Sequence, residues 1–393
     1  MVGIKDIEDA IKNIRPFIHK TPLIHSNSFS KLIEADVYLK AENLQKTGSF
    51  KVRGAFNKLT QIKNGNVIAA SMGNHAQGVA FAAGRLGLHA KIVMPVTAPI
   101  VKQEATRGYG AEVELYGESF NEALDYAMSQ KNYKFIHAFD DEEIIAGQGT
   151  IGIEVAEDLK DIDFILVPVG GGGLISGISI AVNALSPGTE VIGVQAKSAP
   201  SAYSSFKEKK ISSNPPLPTL ADGIAVGKIG DSTFDIMNKY VDDIVLVDED
   251  SIAMAILLFL ERKKLVVEGA GAVPLAALME NKERFKGKRI VLVVSGGNID
   301  FTLIDRIIHK GLASSGRIGV FEVVVDDIPG SLHRISGVIA SHRGNILNVA
   351  HERVAADLPI GKTKVIFTVE VRSSEHLGEI LSGLELKGFV VKK

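Results

Sequence analysis

Short runs of apolar, mostly β-branched residues alternate along most of the chain with stretches of helical period. Val67-Ile68-Ala69-Ala70 predicts a strand, and a Gly-Asn-His loop leads from it into a small-residue helix over 76–86. The same alternation predicts strands at 90–95 and 112–116 with a helix over 101–109 between them, then further strands at 164–169, 191–195 and 290–294. Strand–loop–helix repetition of this kind predicts parallel α/β layers with helices on both faces. In such sheets ligands gather at the carboxyl ends of strands. Residues 164–189 carry no charge and are long enough to raise the question of a membrane span. Pro168, Pro187 and several glycines instead favour a strand, a glycine loop and a buried helix.

The pattern changes after Gly311-Leu312-Ala313-Ser314-Ser315-Gly316, a composition expected of a short linker over 311–316. Beyond it a strand over 318–327 ends in Asp-Asp-Ile-Pro-Gly. A helix over 331–343 follows, with Leu332, Ile335, Val338 and Ile339 on one face, and Gly344-Asn345 stops it. Alternation predicts paired strands over 346–356 and 362–372, then a helix over 376–386 and a last strand over 389–391. The order is βαββαβ, the ferredoxin-like plan. The expected organisation is a two-lobed domain over 1–310, its smaller lobe at roughly 41–140, followed by the linker and a second domain over 317–393.

Composition narrows the chemistry. The chain has 393 residues, 46% hydrophobic and 23% charged, ample for two or three domains. A net charge of −2 with no long basic block gives no support to nucleic-acid or anionic-membrane binding. The absence of cysteine removes disulfides, cysteine zinc sites and thiol nucleophiles. The histidines lack the spacing of a helix-borne zinc site. The polar, acidic N-terminal segment is unlike a signal peptide, and the expected location is the cytoplasm.

Four segments carry candidate chemistry. Lys51 lies in Ser49-Phe50-Lys51-Val52-Arg53-Gly54-Ala55, where Phe50 can shield one face of a planar cofactor. A partly apolar pocket would help the amine lose its proton, although a lone lysine is ordinarily a solvated surface group. Gly170-Gly171-Gly172-Gly173-Leu174 follows a predicted strand and opens a helix, so successive amides and the helix dipole can cradle a phosphate dianion. A tight packing turn is the competing reading. Ser71-Met72-Gly73-Asn74-His75 likewise follows a strand, and its amides and Asn74 can hold a carboxylate or a phenolic oxygen; helix capping by Asn74 is an equal reading. Ser295 ends the strand at 290–294, where its hydroxyl can meet a pyridine nitrogen or be satisfied by backbone. A reactive amine, a phosphate cradle and a hydroxyl at a strand end are three parts of a pyridoxal 5'-phosphate site.

These segments, with Gly73-Asn74-His75-Ala76-Gln77-Gly78, Ala146-Gly147-Gln148-Gly149-Thr150, Ala221-Asp222-Gly223 and Ser295-Gly296-Gly297-Asn298, resemble the serine/threonine dehydratase family of fold-type II pyridoxal-phosphate enzymes. The tail resembles an ACT domain, with Asp327-Ile328-Pro329-Gly330-Ser331-Leu332 as its first turn. The resemblance implies that Lys51 holds the cofactor and moves the substrate's Cα proton. It places Asn74 at the phenolic oxygen, Gly170 to Leu174 at the phosphate, Ser295 at the ring nitrogen, and Ser71, Asn74 and His75 at the substrate carboxylate. The implied reaction is deamination of L-threonine to 2-oxobutanoate and ammonia, with L-serine as a secondary substrate giving pyruvate.

Two departures from the family's racemases matter. Met72 stands where they carry a second catalytic serine, and Gln195 and Ser201 replace two acidic ligands of their divalent-cation site, so no metal is expected. ACT units commonly pair, which implies a homo-oligomer, expected as a tetramer. It also implies a small effector, isoleucine first among candidates, at Asp327, Pro329 and Gly330 with Asn345 and Ile346 closing the neighbouring side. Alternatives are an L-serine dehydratase, another β-elimination enzyme, or a non-catalytic amino-acid sensor.

Overall fold

Arg289–Val294, whose sequence is Arg-Ile-Val-Leu-Val-Val, lies buried on both faces near the middle of a six-stranded sheet. Across that sheet the order is Leu23–His25, Asp36–Ala41, Arg289–Val294, Phe164–Pro168, Glu190–Ala196 and Asp243–Val247, and only the first pair is antiparallel. Continuous rather than alternating apolar runs are what parallel strands covered on both faces require. A second, all-parallel sheet has the order Glu112–Leu115, His89–Met94, Asn66–Ala70 and Lys134–Phe135, all within residues 41–140. The computed structural model describes residues 1–353 and 358–392. It divides into two compact units, Met1–Ile299, which holds both of these sheets, and Asp300–Lys393.

The uncharged stretch becomes the strand Phe164–Pro168 and the helix Gly173–Leu185. Among the described residues no helix is long and apolar enough to cross a membrane. Glycines in the segment Ala146-Gly147-Gln148-Gly149-Thr150 lie on the helix Glu142–Asp158 and serve close backbone approach. A Cβ on Gly147 would lie 2.6 Å from Gly54 Cα, and one on Gly149 would lie 2.8 Å from Gly177 O. The helix Lys51–Leu59 and the helix Gly173–Leu185 therefore both pack hard against this one.

Two residues beyond Lys51, Arg53 is fully buried in a ring of charge. Its guanidinium reaches Glu42 through Nε at 2.8 Å and through Nη2 at 2.8 Å, and Glu154 through Nη1 at 2.8 Å and Nη2 at 2.9 Å. Lys40 Nζ completes the ring with Glu154 at 2.5 Å and the Thr21 carbonyl at 2.7 Å. Two cations and two carboxylates thus neutralise each other, which burial demands. The ring ties the first turn of the Lys51 helix to the strand Asp36–Ala41 and to the helix Glu142–Asp158.

In the second unit the helix Phe301–Ser314 runs through most of the segment expected to be a linker at 311–316, because Leu303, Ile304 and Ile307 set up a helical apolar face that continues to Gly311. The antiparallel sheet that follows has the order Asn345–Glu352, Lys362–Glu370, Ile318–Asp326 and Val390–Lys392. The helices Ser331–Ser341 and Ser374–Leu386 complete the βαββαβ order. Phe321, Val323, Val325, Val365, Phe367 and Val369 meet Ile335, Ile339, Ile380 and Leu384 in its core. Leu332, expected on that buried face, is exposed; Ser331 takes the inward position instead, donating its hydroxyl to Asp326 O at 2.8 Å. The strand expected over 346–356 ends at Glu352, and residues 354–356 lie outside the described residues.

Candidate active site

Lys51 is held where a loop is stitched to a strand end. Phe50 N donates to Ser295 O at 3.1 Å, Gly297 N donates to Gly48 O at 2.9 Å, and Ser49 bridges Gly296. These bonds bring the first turn of Lys51–Leu59 to the buried Ser295 at the end of Arg289–Val294. The Lys51 amine donates to Ala138 O at 2.8 Å and lies 5.3 Å from the Phe50 ring centroid. Burial lowers its pKa to about 8, against the opposing attraction of Glu268. The lowered pKa gives a far larger fraction of neutral, nucleophilic amine near neutral pH than an ordinary lysine has.

The residue after Ala138 connects the lysine to the glycine run. Phe139 packs so closely that a Cβ on Gly171 would lie 2.3 Å from its ring and one on Gly173 would lie 2.8 Å from its carbonyl oxygen. Gly172 has φ +97 and precedes the helix Gly173–Leu185. The Thr233 hydroxyl holds the loop by donating to Gly171 O at 2.7 Å, and Asp140 accepts the amides of Ser232 and Thr233. Packing therefore does require glycines here. It leaves something more: among the described residues, the amides of Gly170, Gly171, Gly172, Gly173 and Leu174 donate to no protein oxygen. Five successive unpaired amides at a helix N-terminus are available to an anion.

Asn74 opens the helix Asn74–Leu86, whose Gly78 lies against the Lys51 backbone; a Cβ there would be 3.2 Å from Lys51 C. The Asn74 amide is oriented from both sides. Its Nδ2 donates to Glu268 Oε1 at 2.8 Å, and its Oδ1 accepts from Asn298 Nδ2 at 2.8 Å. One Nδ2 hydrogen remains for a ligand. Ser71 Oγ accepts from Gly73 N at 3.1 Å. The His75 ring is buried with Nε2 3.0 Å from Ile136 O, and burial together with the nearby Lys51 charge pushes its pKa down to about 3. A neutral ring engaged with a carbonyl offers no cation to a carboxylate, so the part of His75 that can meet one is its backbone N–H.

Lys51, Phe50, Asn74, Ser71, His75, Ser295 and the segment Gly170 to Leu174 thus belong to loops in mutual contact. Glu268, only 4% exposed, joins them and was not singled out from the sequence. Its signal was there: it is the lone charge in the otherwise apolar and small run 265–279. Ala138 and Phe139 carried no signal, because their role lies in a backbone carbonyl and a packing face. Gln195 Oε1 accepts from Tyr203 N at 2.9 Å, and Ser201 Oγ donates to Val226 O at 2.5 Å. Among the described residues no group of three or more histidine, aspartate or glutamate side chains is placed to hold a metal.

The candidate effector residues do not converge within one chain. Asp327 pairs with Arg353 at 3.1 Å, beside the end of the strand Ile318–Asp326 where Asp326 faces Lys362. Asn345 donates to Glu370 at 3.1 Å and faces it in register, at the Ile318 end of the same sheet. The nine-residue strand separates them by roughly 25 Å. The physical reason is direction: the helix Ser331–Ser341 starts beside Pro329 and Gly330 and carries the chain back along the sheet, delivering Asn345 and Ile346 to its far end.

A buried lysine amine of lowered pKa, a run of unpaired amides and a buried hydroxyl at a strand end, grouped in one place, are the parts an enzyme of the class that uses a phosphorylated carbonyl cofactor requires. The chain belongs to the pyridoxal-phosphate dependent enzyme family, which it matches over residues 14–296. It is 47% identical to the L-threonine ammonia-lyase of Thermotoga maritima, over 100% of this chain and 99% of that protein. It is 46% identical to the L-threonine ammonia-lyase of Geobacter sulfurreducens, with 98% of each covered. Among solved structures it is similar to the processed form of threonine deaminase isoform 2 from Solanum lycopersicum, with a TM-score of 0.75 and 37% identity over 78% of this chain and 89% of that one.

Proposed function

We propose that this chain deaminates L-threonine to 2-oxobutanoate and ammonia with pyridoxal 5'-phosphate, the activity its full-length relatives carry in their names, and takes L-serine to pyruvate as a secondary reaction. The observation that carries the reading is the Lys51 amine, poised near pH 8 and sharing the Ala138-Phe139 segment with five unpaired amides. The cofactor, when bound, supplies an electron sink that weakens the bond between the substrate's Cα and its hydrogen. Lys51 holds it and takes up the Cα proton; Gly170 to Leu174 bind its phosphate through backbone N–H groups. Ser295 meets its ring nitrogen with an uncharged hydroxyl, and Phe50 walls one side. Asn74 directs its remaining N–H at the phenolic oxygen. The amides at the N-terminus of Asn74–Leu86, with the Ser71 hydroxyl, receive the substrate carboxylate. Loss of the β-hydroxyl as water and hydrolytic release of ammonia leave the 2-oxo acid.

The test is α-keto acid formation with threonine, serine and homoserine, run beside Lys51→Ala. The wild type should prefer threonine, and the variant should lose turnover and the visible cofactor absorbance while keeping its circular dichroism. Normal activity in Lys51→Ala would sink the assignment.

Control is proposed for the second unit, read as an ACT domain. Its sheet leaves Val320, Leu347, Val349 and Val390 exposed, and among the described residues the outer edges of Asn345–Glu352 and Val390–Lys392 meet no further strand, features that favour association with another copy. The reading is a cytoplasmic homo-oligomer, a tetramer, with isoleucine at a seam where Asp327, Pro329 and Gly330 of one copy approach Asn345 and Ile346 of another. Isoleucine biosynthesis is the matching metabolic setting. Threonine saturation curves with and without isoleucine, on the full chain and on a chain ending at Ile299, decide it: an intact enzyme indifferent to every amino acid tried defeats the regulatory reading.

A further inference from the structure

Glu268 is a buried carboxylate to which, among the described residues, no cation is bonded. It sits just before the helix Gly269–Glu280, and its Oε1 accepts from Asn74 Nδ2 at 2.8 Å. Its amide is tied to the Lys51 loop's strand partner, donating to Gly296 O at 3.1 Å. The carboxylate lies directly against that glycine, since a Cβ on Gly296 would be 2.2 Å from Glu268 Oε1 and 3.2 Å from Ser49 Cβ. Gly223 approaches from another side, where a Cβ would be 3.7 Å from the same oxygen. The charges that interact with Glu268 through space come from three elements. Lys51 belongs to Lys51–Leu59, Asp222 to the turn Asp222–Ile224, and Lys102 to Ile100–Arg107, with Lys102 and Asp222 themselves paired at 3.1 Å. Burial first, and Asp222 second, raise the Glu268 pKa to about 7, while the Asn74 hydrogen bond works the other way.

We propose that Glu268 is a positioning residue of this site, aiming the Asn74 side chain and, from its place against the Gly296 turn bonded to the Lys51 loop, presenting an opposite charge that favours the Lys51 ammonium. The inference rests on the reading of Lys51 and Asn74 as the groups that meet the cofactor. As the pH rises through about 7, Glu268 gains its charge and holds the Lys51 ammonium more firmly. Below that pH it is a neutral acid and the restraint is lifted. The unpaired hydrogen of Asn74 stays aimed only while Glu268 and Asn298 hold the amide from both sides.

The experiment follows the Lys51 amine directly in cofactor-free protein. Acylation by an amine-selective reagent, quantified on the Lys51 peptide, is measured from pH 6 to 10 in wild type, Glu268→Gln, Glu268→Asp and Glu268→Ala. Glu268→Gln keeps an oxygen for Asn74 and removes the charge. Its Lys51 midpoint should fall by about half a unit, roughly a threefold gain in neutral amine at pH 7.5, with the difference vanishing well below pH 7. Glu268→Asp restores the charge and should return the midpoint toward wild type. Cofactor affinity, read by fluorescence titration, should weaken about tenfold in Glu268→Ala, which leaves Asn74 without an acceptor, and far less in Glu268→Gln. A Lys51 midpoint unmoved by Glu268→Gln, or equal affinity losses in the glutamine and alanine variants, overturns the proposal. Neither readout needs turnover, so failure of the wild type to make 2-oxobutanoate would count against the threonine reading alone.

Discussion

Replacing Arg53 with methionine isolates what the buried charge ring contributes. Methionine has similar length and no charge, so it keeps much of the packing and leaves Glu42 fully buried with only the Thr21 hydroxyl and the more distant Lys40 charge. Glu154 keeps its 2.5 Å contact with Lys40. Breaking a buried pair in this way costs about 3–5 kcal/mol, most of it the cost of the stranded carboxylate. For a unit of this size, Met1–Ile299, that is a fall in Tm on the order of 10 °C. The pH dependence distinguishes stranded charge from lost packing. In the wild type the Arg53 charge and hydrogen bonds overcome burial and hold Glu42 below its ordinary pKa, so its contribution is present above about pH 4.3 and lost on acidification. In the variant burial raises the same group, so a penalty appears above about pH 4.3 and grows as pH rises. Both effects widen the gap between the two proteins from pH 4 to pH 7. Thermal unfolding of cofactor-free protein across that range is the assay, and Arg53→Met/Glu42→Gln should recover most of the loss at pH 7. A gap that is flat with pH, or under about 1 kcal/mol at pH 7, would refute the reasoning.

Gly171→Ala should weaken cofactor binding by at least about tenfold while costing about 1–3 kcal/mol of stability, because its Cβ would lie 2.3 Å from the Phe139 ring; equilibrium dialysis and thermal unfolding check both, and unchanged affinity would remove the loop from the site. With Met72 unable to carry a proton, unreacted L-serine should stay L through many turnovers, which chiral chromatography of the residual substrate tests; substantial D-serine would point to another acid on the opposite face.

Much of the catalytic unit was legible locally. Parallel strands buried on both faces leave continuous apolar runs, so Phe164–Pro168 and Arg289–Val294 were readable without their neighbours. The glycine run and Ser295 stand out locally because each lies in the loop just after a strand, where ligands gather in parallel sheets, whereas Lys51 opens a helix ten residues beyond the nearest strand and stands out only by its phenylalanine and glycine neighbours. Residues 311–314 carry the glycine and serine signal of a linker, yet they continue the helix Phe301–Ser314 because neighbouring helical contacts override that local signal. Leu332 was placed inward because periodicity locates a helical face but not where the sheet beneath it ends.

The sequence alone determined the strand-and-helix alternation, the ferredoxin-like order of the tail and the residue types able to bind a phosphorylated carbonyl cofactor, since each depends on neighbours a few positions apart. Long-range packing set the direction in which those groups face. It turned the His75 ring to Ile136 and left its amide for a ligand. It set Glu268 against Asn74, joined Lys51 to the glycine loop through Ala138 and Phe139, and closed the Arg53 ring from three separate elements. It also carried Asn345 to the far end of the sheet from Asp327. Contacts between residues far apart in the chain depend on the direction and register of whole elements, and a short window of sequence encodes neither.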